Sequence, residues 1–178
     1  MLYPPIAEPL ENHSEIKKSL LSKIDDAPRY KQDLKNEIIS ASDYGMHDAG
    51  EIPEYADLFL KNCTPVLYKY FSYLGFNVNV LNMWFHQYFH GDVFGWHSHG
   101  NAAFALIYYL ELPEDGPRTE FSIPPFDFTF TANVKEGDVL IFPAQTRHRS
   151  PESKSTERKT IISANLSIID EPGQPNKY

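Results

Sequence analysis

The sequence has little of several features that define whole classes of protein. It contains one cysteine, Cys63, in 178 residues, which excludes an internal disulfide framework and a zinc site built on cysteines. Its 16 lysines and arginines are outnumbered by 24 aspartates and glutamates and form no cluster, so the charge pattern favours neither nucleic acid nor an acidic membrane. No run of about 18 apolar residues is present, so we expect no membrane span. The start lacks a signal-peptide pattern, so we expect a soluble cytoplasmic protein.

What is present indicates a folded protein, because 42% of the residues are hydrophobic and 14% are aromatic. The length predicts a single domain over residues 1–178. Within it we expect a helical flank over about 1–75, a β core over about 76–170 and a short C-terminal tail, 171–178.

Two helices are predicted in the flank. Apolar residues recur at helical spacing over 14–25 and over 54–74, where Pro65 either kinks the second helix or starts another one. The aromatic face of the second helix is typical of a helix that packs on a sheet. Residues 29–50 are polar and predict a weak helix followed by a loop whose role the sequence does not indicate.

After Gly75 the pattern changes to short alternating or apolar runs separated by glycine, proline, aspartate and asparagine, which predicts strands. The runs are NVNVLNMWFHQYF, GDVFGWHSHG, AFALIYYLEL, TEFSIPP, FDFTFTA, GDVLIFPA and KTIISANLSII. Many short strands with few helices between them indicate a sandwich or jelly roll. The segment 113–127 forms either part of a substrate wall or only a surface hairpin.

Three histidines form a candidate metal site. His97 and His99 are two residues apart, so on a strand both imidazoles point to one face. His148 follows another predicted strand and can lie beside them in a sandwich. Three imidazoles leave open positions on a metal, as non-haem iron sites do, whereas a closed zinc site needs a fourth ligand. The alternative is one core histidine and one exposed histidine.

Arg158 opens the last predicted strand and is a candidate anion-binding residue. If that strand runs inward, Arg158 and Thr160 share a face, and a buried guanidinium needs an anion. A small dicarboxylate would then bridge the metal and Arg158. The alternative is that Arg158 and Lys159 are a solvated pair.

From about residue 82 to 169 the sequence resembles the Fe(II)/2-oxoglutarate-dependent dioxygenases, closest to the prolyl-4-hydroxylase-like branch. Four segments carry the likeness: YFHGDVFGWHSH, LIYYLEL, GDVLIFPAQTRH and ERKTIISANLSI. The resemblance implies a mainly β (α+β) fold, a double-stranded β-helix (jelly roll), with N-terminal helices packed on one sheet. It also implies Fe(II), O2 and 2-oxoglutarate as co-substrate.

The resemblance assigns residues to roles. It implies that His97, His99 and His148 bind the metal and that Arg158, Tyr109, Tyr88 and Thr160 hold 2-oxoglutarate. The implied reaction hydroxylates a C–H bond of a peptide or small metabolite and releases succinate and CO2. We expect no nucleic-acid or membrane partner, and neither the substrate's identity nor the oligomeric state follows from the sequence.

His99 departs from the family pattern, which has aspartate or glutamate at this position. Asn101 and Asp92 are the alternative second ligands if the register differs. Three neutral ligands leave the Fe(II) charge at +2, so we expect weaker, more pH-dependent metal binding that depends more on bound co-substrate.

Other functions are possible on the same barrel. One is a non-catalytic, cupin-like jelly roll that binds a metal or ligand, and another is a three-histidine thiol dioxygenase of the cupin type. Neither needs Arg158 and Tyr109. Halogenation is disfavoured, because His99 fills the place that a halide would take. His86 and His90 are interpreted as structural or exposed, and the alternative is that one of them orients a metal ligand.

Overall fold

The computed structural model describes residues 3–47, 52–123, 125 and 128–169, and within them the chain is mainly β. Two helices are present in these ranges, α1 (His13–Asp26) and α2 (Ala56–Leu74). The strands of the same ranges are β1 (Ile6–Pro9), β2 (Tyr30–Leu34), β3 (Glu37–Ser42), β4 (Asn77–Tyr88), β5 (Val93–His97), β6 (Phe104–Glu111), β7 (Glu120–Ile123), β8 (Phe128–Thr131), β9 (Asp138–Pro143), β10 (Arg147–Ser150) and β11 (Lys159–Ile169). None of the helices so described is long and apolar enough to cross a membrane.

All strands pair antiparallel in one strongly curled sheet, which is consistent with a jelly roll and confirms the predicted mainly β class. The strand order is β1-β9-β6-β11-β4-β3-β5-β10-β7-β8, and β2 pairs with β3. Strand β11 lies between β4 and β6 and pairs with both along most of its length. Strands β4, β5, β10 and β11 contribute residues to one cavity, which is described below.

The curled sheet has two separate hydrophobic clusters, one on each face. The outer cluster joins the apolar faces of both helices to β6, and Phe59 of α2 stacks on Tyr108 with ring centroids 5.1 Å apart. The inner cluster contains Tyr88, Tyr109 and Ile161 and lies on the inner face of the curled sheet. Burying both faces contributes most of the fold's stability, because apolar area is removed from water on each side.

The interpretation of residues 29–50 as weak helix and loop is wrong for the part that is described. Strands β2 and β3 form a hairpin there, and Asn36 in the turn has φ 68°. Asparagine tolerates this left-handed conformation better than other non-glycine residues, so it supports a tight turn. The many polar residues of β2 hid the strand pattern. Residues 48–50 of that prediction lie outside the described residues, as does the expected tail, 171–178.

Helix α2 is one continuous helix through Pro65, so the alternative of a second helix starting there is wrong. Pro65 is exposed. Because proline has no backbone N–H, the carbonyl oxygen four residues earlier loses its hydrogen-bond donor, but that carbonyl lies on the same solvent-facing side of the helix. Gly75 ends the helix with φ 74°, a left-handed conformation that glycine adopts at low cost. Gly75 is therefore the C-terminal cap of α2.

Candidate metal centre and adjoining cavity

The structure brings His97, His99 and His148 together. One nitrogen from each imidazole lies within 4.8 Å of the other two, an arrangement that could hold a metal ion. His97 is the last residue of β5 and lies opposite His148 of β10, and the two ring centroids are 4.2 Å apart. Antiparallel pairing across these strands therefore builds two thirds of the cluster.

Backbone contacts orient two of the three imidazoles. The Nδ1 of His97 lies 2.8 Å from the carbonyl oxygen of Gly95, and the Nδ1 of His148 lies 2.9 Å from that of Thr146. Since a carbonyl can only accept, Nδ1 carries the proton in both rings and Nε2 keeps its lone pair. Partners of this kind fix the tautomer of metal-binding histidines in proteins.

The imidazoles of the cluster are neutral at pH 7. Burial lowers the pKa of His97 and of His99, and burial together with the neighbouring His97 lowers the pKa of His148 to about 3. Neutral imidazoles are the form that binds metals, so no proton has to be displaced from the nitrogen lone pairs.

His99 lies beyond the end of β5, not on the strand as the alternation argument assumed. Its backbone N–H donates to the carbonyl of Ala144 at 2.9 Å, and its ring stacks on Trp84 with centroids 5.9 Å apart. These two contacts hold the ring beside the other histidines although it has left the sheet.

The two alternative ligands lie elsewhere. The Asp92 carboxylate accepts hydrogen bonds from the backbone N–H groups of Ser40 and Phe89, at 2.8 and 2.9 Å, so it stabilises a turn. Asn101 is exposed. Over the ranges that the structure describes, the ligand-like cluster contains histidines alone.

A cavity opens beside the cluster, inside the barrel. Its enclosed part is small, about 30 Å³ of space for the centres of water molecules, and the figure reaches 450 Å³ only when the open space at its mouth is counted. Its polar wall comes from several strands and one loop: His86, Tyr88, Thr119, Arg149, Ser150, Lys159 and Ser163, besides the three histidines. Phe94, Ile107, Phe142 and Ile161 are prominent in its apolar wall. Among the described residues of the segment 113–127, Thr119 is the one that lines this wall.

Lys159 is a buried cation in this cavity, and sequence reasoning missed it. Its side chain is 1% exposed, its Nζ donates to Ser150 Oγ at 2.9 Å, and it lies 4.7 Å from the centre of the Tyr88 ring. Within the described ranges no carboxylate pairs with it. Burial lowers the pKa of Lys159 to about 7, as is expected for an ammonium group removed from water without a counter-charge.

Arg158 and Thr160 do not face the cavity, so their predicted position is wrong. Arg158 donates to both carboxylate oxygens of Glu111, at 2.7 and 3.1 Å, and to Asp25 of α1 at 3.0 Å. The Thr160 hydroxyl also donates to Glu111. Side chains alternate along β11, so the inward cation is the next residue, Lys159.

The two tyrosines lie next to Lys159. Tyr88 lines the cavity and is opposite Lys159 in the β4–β11 pair. The ring of Tyr109 is 5.8 Å from Lys159 Nζ, and its hydroxyl is 2.6 Å from the Thr119 hydroxyl. Tyr109 therefore reaches the cavity through Thr119.

No family model matches the chain, and no curated protein is similar to it in sequence. Solved structures are similar in fold. One is a 2OG-Fe(II) oxygenase-family oxidoreductase from Burkholderia pseudomallei, at TM-score 0.67 and 11% identity, over 92% of this chain and 84% of that one. A second is a Pseudomonas putida prolyl-4-hydroxylase, at TM-score 0.65 and 12% identity, over 92% of each chain.

A third similar structure is the epimerase SnoN in complex with Fe3+, alpha ketoglutarate and nogalamycin RO. It matches at TM-score 0.69 and 11% identity, over 92% of this chain and 78% of that one. At these identities the likeness is one of fold. The chain therefore has the fold of 2-oxoglutarate- and Fe(II)-dependent oxygenases, as the sequence resemblance predicts.

Proposed function

We propose that this protein is a non-haem Fe(II)- and 2-oxoglutarate-dependent oxygenase. One observation carries the proposal: the same cavity holds three convergent neutral imidazoles and, deeper in the barrel, a buried ammonium group with no carboxylate partner among the described residues. A dicarboxylic keto acid would complement both groups: its keto acid end would chelate the metal at the histidines, and its distal carboxylate would pair with Lys159.

The donor set fits a divalent iron ion. Imidazole suits Fe(II), and an ion held by three protein ligands would have positions left for a keto acid and for O2. When bound, the iron would supply the activation of O2 that oxidises the substrate while 2-oxoglutarate becomes succinate and CO2. His97, His99 and His148 would hold the ion.

The other residues bind and enclose the co-substrate. Lys159, held by Ser150 and by the faces of two tyrosine rings, would donate to its distal carboxylate. A charge-assisted hydrogen bond of this kind contributes about 1.5–3 kcal/mol. The apolar wall around it excludes water, which strengthens the interaction and limits side reactions.

Hydroxylation of a C–H bond in a peptide or small metabolite is the reaction that we propose. The prolyl-4-hydroxylase among the similar structures supports it, while the epimerase shows that the fold also serves other reactions. A cytoplasmic location and the absence of nucleic-acid and membrane partners are part of the same proposal.

The test is turnover. Wild-type protein with Fe(II), ascorbate, O2 and 2-oxoglutarate should form succinate, and His148→Ala should form none. Because the true substrate is unidentified, uncoupled turnover is the readout, and a screen of peptides and amino acids for faster succinate release would identify the substrate class. Absence of succinate together with intact zinc and 2-oxoglutarate binding would favour the non-catalytic binding module.

The all-histidine ligand set has its own test. Zinc titrations between pH 5 and 8 should show affinity that rises when 2-oxoglutarate is present and falls toward pH 5 only through protonation of His97 and His99, because the His148 imidazole stays neutral over this range. Tight zinc binding that is independent of pH and of 2-oxoglutarate would contradict the expected consequence of His99.

A further inference from the structure

His86 is a buried polar residue of the cavity to which the proposed reaction assigns no role. It is 3% exposed and lies on β4, on the same face as Trp84 and Tyr88. The residue opposite it on β11 is Ile161, two residues from Lys159 along the inward face. Its ring centroid is 5.5 Å from that of Phe94, which in turn contacts the His97 ring at 4.4 Å. His86 therefore lies between the histidine cluster and Lys159.

Trp84 fixes the tautomer of His86. The indole Nε1–H of Trp84 donates to the Nε2 of His86 at 2.9 Å. An indole N–H can only donate, so Nε2 must be the unprotonated nitrogen and Nδ1 must carry the hydrogen. Burial, with smaller contributions from His97 and Lys159, lowers the pKa of His86 to about 3, so the ring stays neutral.

The Nδ1–H of His86 is consequently a hydrogen-bond donor without an acceptor among the described residues. This donor is buried. Buried donors in native proteins are almost always satisfied, and an exception indicates an absent ligand or water. Since His86 lines the cavity, the acceptor is expected there.

We propose that the Nδ1–H of His86 donates a hydrogen bond to a carboxylate oxygen of the keto acid that spans the histidine cluster and Lys159. This inference rests on the proposed function and adds a binding residue to it. Carboxylate oxygens only accept, so they match a donor whose tautomer is fixed before the ligand arrives. Trp84 is a positioning residue in this arrangement, because it acts on the ligand only through His86.

Two substitutions separate the two nitrogens of the ring. In His86→Asn the side-chain amide can replace the Nδ1 donor, whereas in His86→Gln it reaches the Nε2 position near Trp84. In the zinc form, His86→Gln should weaken 2-oxoglutarate binding about tenfold by calorimetry, which corresponds to about 1.4 kcal/mol. His86→Asn should stay within about threefold of wild type. His90→Gln, at an exposed histidine just after β4, is the control and should change nothing.

The outcomes are distinguishable. Zinc affinity without 2-oxoglutarate should be equal in all variants, which shows that the cluster is intact. If wild type binds no 2-oxoglutarate, the proposed function itself fails. If wild type binds it and His86→Gln binds it equally well, or if both variants lose affinity equally, the assignment of the His86 donor is overturned.

A spectroscopic measurement reads the donor directly. Nitrogen-15 spectra of the histidine side chains should show His86, assigned with His86→Asn, as the Nδ1–H tautomer between pH 6 and 8. Addition of 2-oxoglutarate to the zinc form should move its Nδ1–H resonance, and Trp84→Phe should weaken the tautomer preference. A purely structural His86 would show no ligand-dependent shift, and that result would overturn the proposal.

Discussion

Arg158 and Lys159 are adjacent cations on opposite faces of the sheet. Arg158 is tied to Glu111 and Asp25 on the outer face, beneath α1. Lys159 lies in the cavity with a serine hydroxyl and two aromatic rings around it. The carboxylates of Glu111 and Asp25 raise the pKa of Arg158, whereas burial lowers that of Lys159. A cation that protein carboxylates already neutralise is structural, and one without such a partner is available to a ligand.

The largest effect is expected from Lys159→Met. It removes the only charge proposed to hold the distal carboxylate, so 2-oxoglutarate affinity in the zinc form should fall about 100-fold, within the range of about 2–5 kcal/mol for a buried charged contact. The ligand-free protein should unfold at the same or a higher temperature, since a desolvated ammonium group is replaced by an apolar side chain.

A shorter keto acid is the internal control for this variant. 2-Oxobutyrate has the chelating end but no distal carboxylate, so its affinity should be equal in wild type and Lys159→Met. Lys154→Met, at an exposed lysine, should bind both acids normally. Equal weakening for both acids would mean that the substitution disturbs the metal centre and that Lys159 is not the selective contact.

The next largest effect is a pH dependence. With a pKa of about 7 in the ligand-free site, Lys159 is increasingly neutral above pH 7 and must regain a proton before it can bind a carboxylate. The ratio of 2-oxoglutarate to 2-oxobutyrate affinity should therefore fall about tenfold between pH 7 and 8.5. The ratio cancels any change at the metal. A constant ratio over this range would show that Lys159 does not titrate there.

Sequence patterns predicted much of the fold because the periodicities were clear. The helices at 13–26 and 56–74 each show one apolar period, and the strands after Gly75 are apolar or alternating runs bounded by turn residues. The hairpin β2–β3 was missed because its strands are largely polar. The convergence of the histidines was predicted, but the carbonyl groups of Gly95 and Thr146 that orient them belong to the backbone and leave no sequence signal.

The face of β11 was not readable from the sequence for a different reason. Both faces of this strand are buried, so Ile161 and Ile162 are both apolar although one lines the cavity and the other packs toward the helices. Without an alternating pattern, the strand gives no indication of which of two adjacent cations points inward. Only the positions of Glu111 and α1 resolve the choice.

A smaller effect is expected from Arg158→Met, and on stability instead of binding. Losing the pairs with Glu111 and Asp25 leaves a partly buried carboxylate without its main partner, so the free energy of unfolding should fall by about 1 kcal/mol. Urea unfolding measures the change, with Lys154→Met as the exposed-pair control. 2-Oxoglutarate affinity should stay within about twofold of wild type. A large loss of affinity would mean that Arg158 binds the co-substrate after all, and that the contrast between a structural Arg158 and a ligand-binding Lys159 is wrong.

The smallest effect should come from Tyr109→Phe. The family resemblance assigns this tyrosine to the distal carboxylate, but its hydroxyl is engaged with Thr119, and Thr119 is the residue that lines the cavity. Removing the hydroxyl leaves the ring beneath Lys159, so 2-oxoglutarate affinity should fall only about twofold to threefold. Thr119→Val removes the hydroxyl at the cavity wall and should lower 2-oxoglutarate affinity at least as much. Calorimetry on the zinc forms of both variants decides the order. A loss of tenfold or more in Tyr109→Phe alone would mean that the tyrosine turns from Thr119 to the ligand on binding, and the distal carboxylate would then be held from β6 as well as from β11.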